Sequence, residues 1–210
     1  MNINKSLFFI CLILLAIAGC AQVKTADGPL PIIGNRYFEA GDTVYHQIPD
    51  FEFINQDSQL VTNEAFEGKM YVADFFFISC PTICPIVKKQ MLRIYERFES
   101  EDRVALFSHS IDTKYDTIPR LKNYSVNLGV SAPKWNFVTG DEEEIYDIAD
   151  DYFSIAIKDP SAPGGFDHSG RLILVDDKRH VRAFCDGTDE EDVDQFMKDI
   201  QKLVEEYDQR

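Results

Sequence analysis

The sequence predicts an α/β domain with a mixed central sheet flanked by helices, and three observations predict it. An apolar run over Met70–Ile78, broken only at Ala73-Asp74, has the β-branched and aromatic content of a strand buried on both faces, and Val104–Ser108 reads as a second buried strand. A segment with apolar residues at helical spacing follows each run, Pro85–Phe98 and Thr117–Leu128. The order of elements, strand–helix–strand–helix–strand, then a hairpin and a last helix, is that of helices packed on a mixed sheet. At 210 residues, 45% of them hydrophobic, the chain can build one sizeable core but not two comfortable ones.

In chain order, Met1–Lys5 carries one positive charge, Ser6–Ala18 is almost wholly apolar, and small residues follow. This is the layout of a secretory signal, and the apolar stretch is too short for a membrane span. Ile17-Ala-Gly-Cys20 resembles the bacterial lipobox, in which the cysteine is diacylated and becomes the first residue of the mature protein. An uncleaved signal anchor is the alternative, and both readings place the domain outside the cytoplasm. The expected division is a signal peptide over 1–19, a tether over 20–45 with scattered Gly and Pro, and a globular domain over 46–210. The implied location is the cell envelope of a bacterium, lipid-anchored, with the domain facing the periplasm.

Phe51–Asn55 reads as the first strand, Gln56–Ser58 as a turn and Gln59–Thr62 as a short return strand. After the two strand–helix units come a short strand at Trp135–Val138 and a helix over Asp141–Asp151 with an acidic first turn. Tyr152–Ile157, Arg171–Val175 and Val181–Phe184 read as strands, the last two joined by a turn at Asp176–Arg179. Asp189–Tyr207 is an amphipathic closing helix.

The formal net charge is −15, and with Lys5 removed alongside the signal the remaining chain stands at −16. No basic stripe is present to follow a phosphate backbone, which excludes nucleic-acid binding. Cys11 and Cys20 fall in the leader, leaving Cys80, Cys84 and Cys185 in the domain. An odd number in an oxidising compartment cannot all pair within one chain.

Cys80 and Cys84 lie where the strand Met70–Ile78 runs into a helix, the place a thioredoxin-like fold puts a cysteine pair. Free amide N–H groups and the helix dipole there favour thiolate, the form that attacks disulfides and binds soft metals. Thioredoxin-type motifs have two residues between the cysteines, and here there are three. At i and i+4 both sulfurs can share one face and chelate an ion, or close into a disulfide. An inert stapling disulfide would add little stability across so short a loop.

Of the four histidines, His46 and His180 read as surface residues and His109 as a hydrogen-bonded core residue. His168 falls in the turn-rich stretch Pro163–Gly170, just before a strand. It can project into a site or be a plain loop histidine.

Cys80-Pro-x-x-Cys84-Pro, Ser110–Thr117, and Asp167-His168-Ser169 with Leu172–Asp176 resemble the Sco/SenC proteins, and the likeness spreads from about Ile48 to Leu203. These are thioredoxin-fold proteins that help assemble the copper centre of cytochrome oxidase. The resemblance implies that Cys80, Cys84 and His168 ligate copper, as Cu(I) or Cu(II). It implies a partner in the copper-centre subunit of cytochrome c oxidase, with other copper chaperones or thiol reductants as further partners. Asp112 and Asp116 match the family's acidic pair near the site. They read as residues outside the ligand set, because hard carboxylates are poor Cu(I) ligands, or equally as turn and cap formers. Cys185 stands where an aromatic or aliphatic residue is expected and reads as a buried free thiol, with an intermolecular disulfide or a redox partner for the pair as the alternative.

Two functions follow: copper delivery, or a thiol–disulfide oxidoreductase in which Cys80 and Cys84 are the redox pair and His168 is dispensable. A peroxiredoxin-like peroxidase fits poorly, since Phe77-Ile-Ser-Cys80 lacks the Thr or Ser expected three residues before the cysteine.

Overall fold

The computed structural model describes residues 28–210. The signal segment and Cys20 lie outside the described residues. Eleven strands, four α-helices and two short 3-10 turns make up these residues.

The core sheet has seven strands. β5 (Met70–Phe76), β6 (Val104–Ser110) and β7 (Trp135–Thr139) run parallel at its centre. β3 (Glu52–Asn55) and β4 (Leu60–Thr62) extend one side antiparallel, and β10 (Arg171–Val175) and β11 (Val181–Asp186) extend the other. The order is β11-β10-β5-β6-β7-β3-β4. Every residue of β5 and β6 is buried, Asp74 and Ser108–Ser110 included, which explains why both read as mainly apolar runs rather than alternating ones.

The helices are α1 (Cys84–Arg97), α2 (Ile118–Leu128), α3 (Glu142–Asp151) and α4 (Glu190–Asp208). Pro85 and Pro119 sit in first turns, where a missing N–H costs nothing. Gly129, at φ 75°, closes α2 in the left-handed conformation. Asp141 caps α3 through the amides of Glu143 and Glu144, and Asp189 caps α4 through those of Glu191 and Asp192. Along α4, Val193, Phe196, Ile200, Leu203 and Val204 form the buried stripe, which packs the helix against β11.

Three stretches differ from the sequence reading. The expected tether carries a hairpin, β1 (Arg36–Glu39) and β2 (Asp42–Tyr45), and its residue Leu30 is buried. Arg182 explains the attachment: its guanidinium donates to the carbonyls of Leu30 and Pro31 and pairs with Asp176 and Glu206. The strand expected over Tyr152–Ile157 is only β8 (Ala156–Lys158), because Tyr152 ends α3. It pairs with β9 (Phe166–His168) in a separate ribbon, so His168 sits on a strand rather than in a loop.

Two histidines expected at the surface are covered. His180 is 9% exposed, its amide held by the Asp176 carboxylate that shapes the β10–β11 turn. His46 is half-buried, with Nε2 2.8 Å from the Asp151 carbonyl and its ring against Phe153.

Candidate metal centre

The site is built where β5 hands the chain to α1. Cys80 precedes the helix, its amide donating to the Phe77 carbonyl at 3.2 Å, and Cys84 is the first helical residue. Ile83 caps the helix without a side-chain acceptor, and the Thr82 and Cys84 amides turn to the Cys80 sulfur. Cys80 is therefore not on the helix face assumed from an i, i+4 spacing; it reaches the same place from the preceding turn.

β9 brings the third group. His168 Nε2 lies 3.5 Å from the Cys80 sulfur and 3.5 Å from that of Cys84. All three donor atoms lie within 4.8 Å of one another, and both cysteines are free thiols. Ligand bonds of about 2.3 Å to sulfur and about 2.0 Å to nitrogen would separate S and N by roughly 3.5–3.7 Å, so the spacing already suits a small ion. Two sulfurs and an imidazole form a soft donor set. His168 Nδ1 is buried with no hydrogen-bond partner among the described residues.

Phe77 sets the imidazole's position, its ring 5.4 Å from that of His168 and edge-on to it. Behind Phe77 the ribbon turns through Gly164 at φ 82°, where an added Cβ would come within 2.8 Å of the Phe77 ring. A glycine is needed there for both space and conformation.

The two thiols differ. Burial opposes ionisation of Cys80, but hydrogen bonds from the Thr82 and Cys84 amides, with His168 and the Thr82 hydroxyl, outweigh it and lower its pKa to about 6. Burial pushes the Cys84 thiol up, and the neighbouring Cys80 charge adds to this, against the smaller opposing pull of Lys88. The helix start was expected to favour both thiolates; only Cys80 gains, because Cys84 lies deeper in apolar surroundings.

The acidic pair takes no direct part. Asp116 is fully buried, and its Oδ2 accepts from the Ile78 amide at 2.9 Å and the Ser110 hydroxyl at 2.7 Å. It thereby ties the residue two before Cys80 to the end of β6. Burial raises its pKa against these hydrogen bonds. Asp112 is 6% exposed and acts through its carbonyl, which receives the Tyr115 and Asp116 amides. Neither carboxylate caps α2, whose first turn follows Thr117.

His109 lies in the core as expected, with Nδ1 3.3 Å from the Asp74 carbonyl and its ring stacked on Phe75. Burial lowers its pKa to about 3. Cys185 is buried on β11, and burial raises its thiol. Sequence reasoning passed over Phe77, Thr82, Ser110 and the pair Asp74–Lys88 beneath the site. Asp74, the lone acid in the Met70–Ile78 run, was the available signal for the last of these.

A family model described as SCO1/SenC matches residues 40–205. Among solved structures, a SCO1/SenC family lipoprotein from Bacillus anthracis str. Ames is 26% identical, with a TM-score of 0.68 over 75% of this chain and 95% of that one. BsSco, described as a Sco family member of the cytochrome c oxidase assembly proteins with a disulfide switch, is 29% identical. Its TM-score is 0.65, over 75% of this chain and 92% of that one. Arabidopsis thaliana ScoI with copper bound is 25% identical, with a TM-score of 0.60 over 73% of this chain and 98% of that one.

Proposed function

This chain belongs to the SCO1/SenC family, and on that premise we propose that it binds one copper ion through Cys80, Cys84 and His168 and delivers it to the copper-centre subunit of cytochrome c oxidase. The observation that carries the reading is the convergence of the three soft donors from two separate elements. Copper is the cargo. The Cys80 thiolate, available at neutral pH, makes the first bond. Cys84 gives up its proton as the ion arrives, since metal binding releases protons from thiols. His168 supplies the lone pair of Nε2. Release proceeds by exchange, each ligand replaced in turn by a thiolate or imidazole of the acceptor.

The neighbours support this reading in words of their own: one is a copper-bound Sco protein, another an oxidase assembly protein. Lipid attachment at Cys20, with the domain facing the periplasm, would hold the donor beside a membrane-bound acceptor and raise its effective concentration. The lipobox-like Ile17–Cys20 and a family neighbour that is a lipoprotein support that placement.

One observation favours a second reading, reduction of the acceptor's cysteines before copper arrives. The thiolate at Cys80 and the retained proton on Cys84 are the attacking and resolving halves of a thiol–disulfide oxidoreductase. The experiment that separates the two is Cu(I) titration of the reduced protein against a competing chelator. Tight binding of one equivalent supports delivery. Weak binding, with a mixed disulfide trapped in Cys84→Ser, supports reduction.

A further inference from the structure

Beneath the cysteines lies a charged pair unused by the ligand set. Lys88 and Asp74 are 3% and 1% exposed, and their ion pair is 2.6 Å long. Lys88 Nζ also donates to the Ser108 hydroxyl at 2.9 Å and lies 4.0 Å from the centroid of the Phe76 ring. Ser108 donates to the other Asp74 oxygen and accepts from Trp135 Nε1. A carboxylate, a hydroxyl and an aromatic face together favour the ammonium form.

Such a pair is a weak source of stability, because apolar residues of similar volume usually serve as well or better. Its place suggests another role. Lys88 follows Cys84 by one helical turn on α1, on the same face. Both residues line one groove of about 320 Å³, together with Cys80, Ile78 and Tyr124.

We propose that Lys88 is an electrostatic positioning residue for the cysteine pair, its buried ammonium held charged by Asp74 so that the site favours its more negative states. Two thiolates and a neutral imidazole give a net charge of −1 with Cu(I) and zero with Cu(II), so the cation favours cuprous copper. It also favours the reduced pair over the disulfide. Reduction adds two electrons to the S–S bond and releases two sulfurs that share the protons taken up from solvent, and any thiolate the reduced pair carries is negative charge that the disulfide lacks and that Lys88 stabilises. Burial lowers the Lys88 pKa, and the Asp74 carboxylate foremost, with the Cys84 charge, opposes that fall. The copper half rests on the function proposed above; the disulfide half does not.

The test compares the protein with Lys88→Met/Asp74→Asn, which removes the pair without orphaning a charge, and with Lys88→Arg, which keeps the cation. Metal-free protein is equilibrated at pH 7 in a buffer of reduced and oxidised dithiothreitol. The copper-loaded protein is titrated to its Cu(II)/Cu(I) midpoint. The double variant is expected to lower the equilibrium constant for disulfide reduction about tenfold, or about 30 mV, and the copper midpoint by about 60 mV. Lys88→Arg is expected to stay within about twofold. If the double variant lacks the native fold by circular dichroism, Lys88→Gln/Asp74→Asn gives the same comparison. Unchanged constants in a folded variant overturn the proposal. If the parent protein binds no Cu(I), the copper reading falls while the disulfide constant still decides the role of Lys88.

Discussion

His168 Nε2 stands 3.5 Å from the sulfur of Cys80 although 88 residues of chain separate them. The contact joins the turn before α1 to a ribbon that, among the described residues, shares no strand pairing with the core sheet. Removing the imidazole should leave the fold intact and the ligand set incomplete. His168→Ala is expected to weaken Cu(I) binding at least about 100-fold, given that losing even an outer partner of a metal ligand costs about 10- to 100-fold. Chelator competition measures it, and unchanged affinity would remove His168 from the site.

The inequality of the two thiols gives a pH signature. In the reduced, metal-free protein, iodoacetamide should modify Cys80 with a rate that is half-maximal at about pH 6, while Cys84 stays inert through pH 8. Mass spectrometry of peptides from a pH series reads both. A single midpoint at or above about 8.5 for both cysteines, the ordinary thiol value, would contradict the assigned environments.

Asp116 should act on the site only through the backbone it holds. Asp116→Ala leaves the Ile78 amide and the Ser110 hydroxyl without their acceptor, at a cost of about 1–3 kcal/mol, and loosens the turn before Cys80. Asp116→Asn keeps an acceptor oxygen. Because burial raises the Asp116 pKa, the protonated form suits the fold, and its contribution is lost as pH rises from 3.8 through the folded value. The Asn variant escapes that loss. Its stability advantage should therefore be present at pH 7 and shrink as pH falls towards 3.8, as urea unfolding at a series of pH values will show.

Gly164 ties the ribbon to Phe77. Alanine there meets the ring at 2.8 Å in a left-handed conformation, so Gly164→Ala should cost about 1–3 kcal/mol and displace β9. Copper affinity should fall with it, whereas Gly129→Ala, strained at a helix end with nothing within 4 Å, should lose stability alone. Equal losses of affinity in both variants would refute the link.

The parts of the fold made from neighbouring residues were legible. β5 and β6 are buried on both faces and so appear as apolar runs, and Asp141 and Asp189 announce their helices by capping them. The parts that depend on distant partners were not. Ile155 and Ile157 give 152–157 a strand-like composition, yet both are 52% exposed, and only Ile157 lies on the ribbon, whose other half is ten residues on. Leu30 packs in place because Arg182, far along the chain, receives it. His180 looked solvated among Asp176, Asp177, Lys178 and Arg179, but the Asp176 carboxylate turns its backbone inward. At the site, the cysteine pair announced itself by position before a helix, while the inequality of the thiols needed their actual burial. Lys88 is a polar residue within a helix read from its apolar spacing alone, so nothing in that pattern marks it as buried.

The central claim is that one ion joins Cys80, Cys84 and His168, and X-ray absorption spectroscopy of the Cu(I)-loaded protein tests it most directly. The account predicts a first shell of two sulfurs and one imidazole nitrogen, with the imidazole contribution absent in His168→Ala. A shell of sulfur alone, identical in the two proteins, would contradict it.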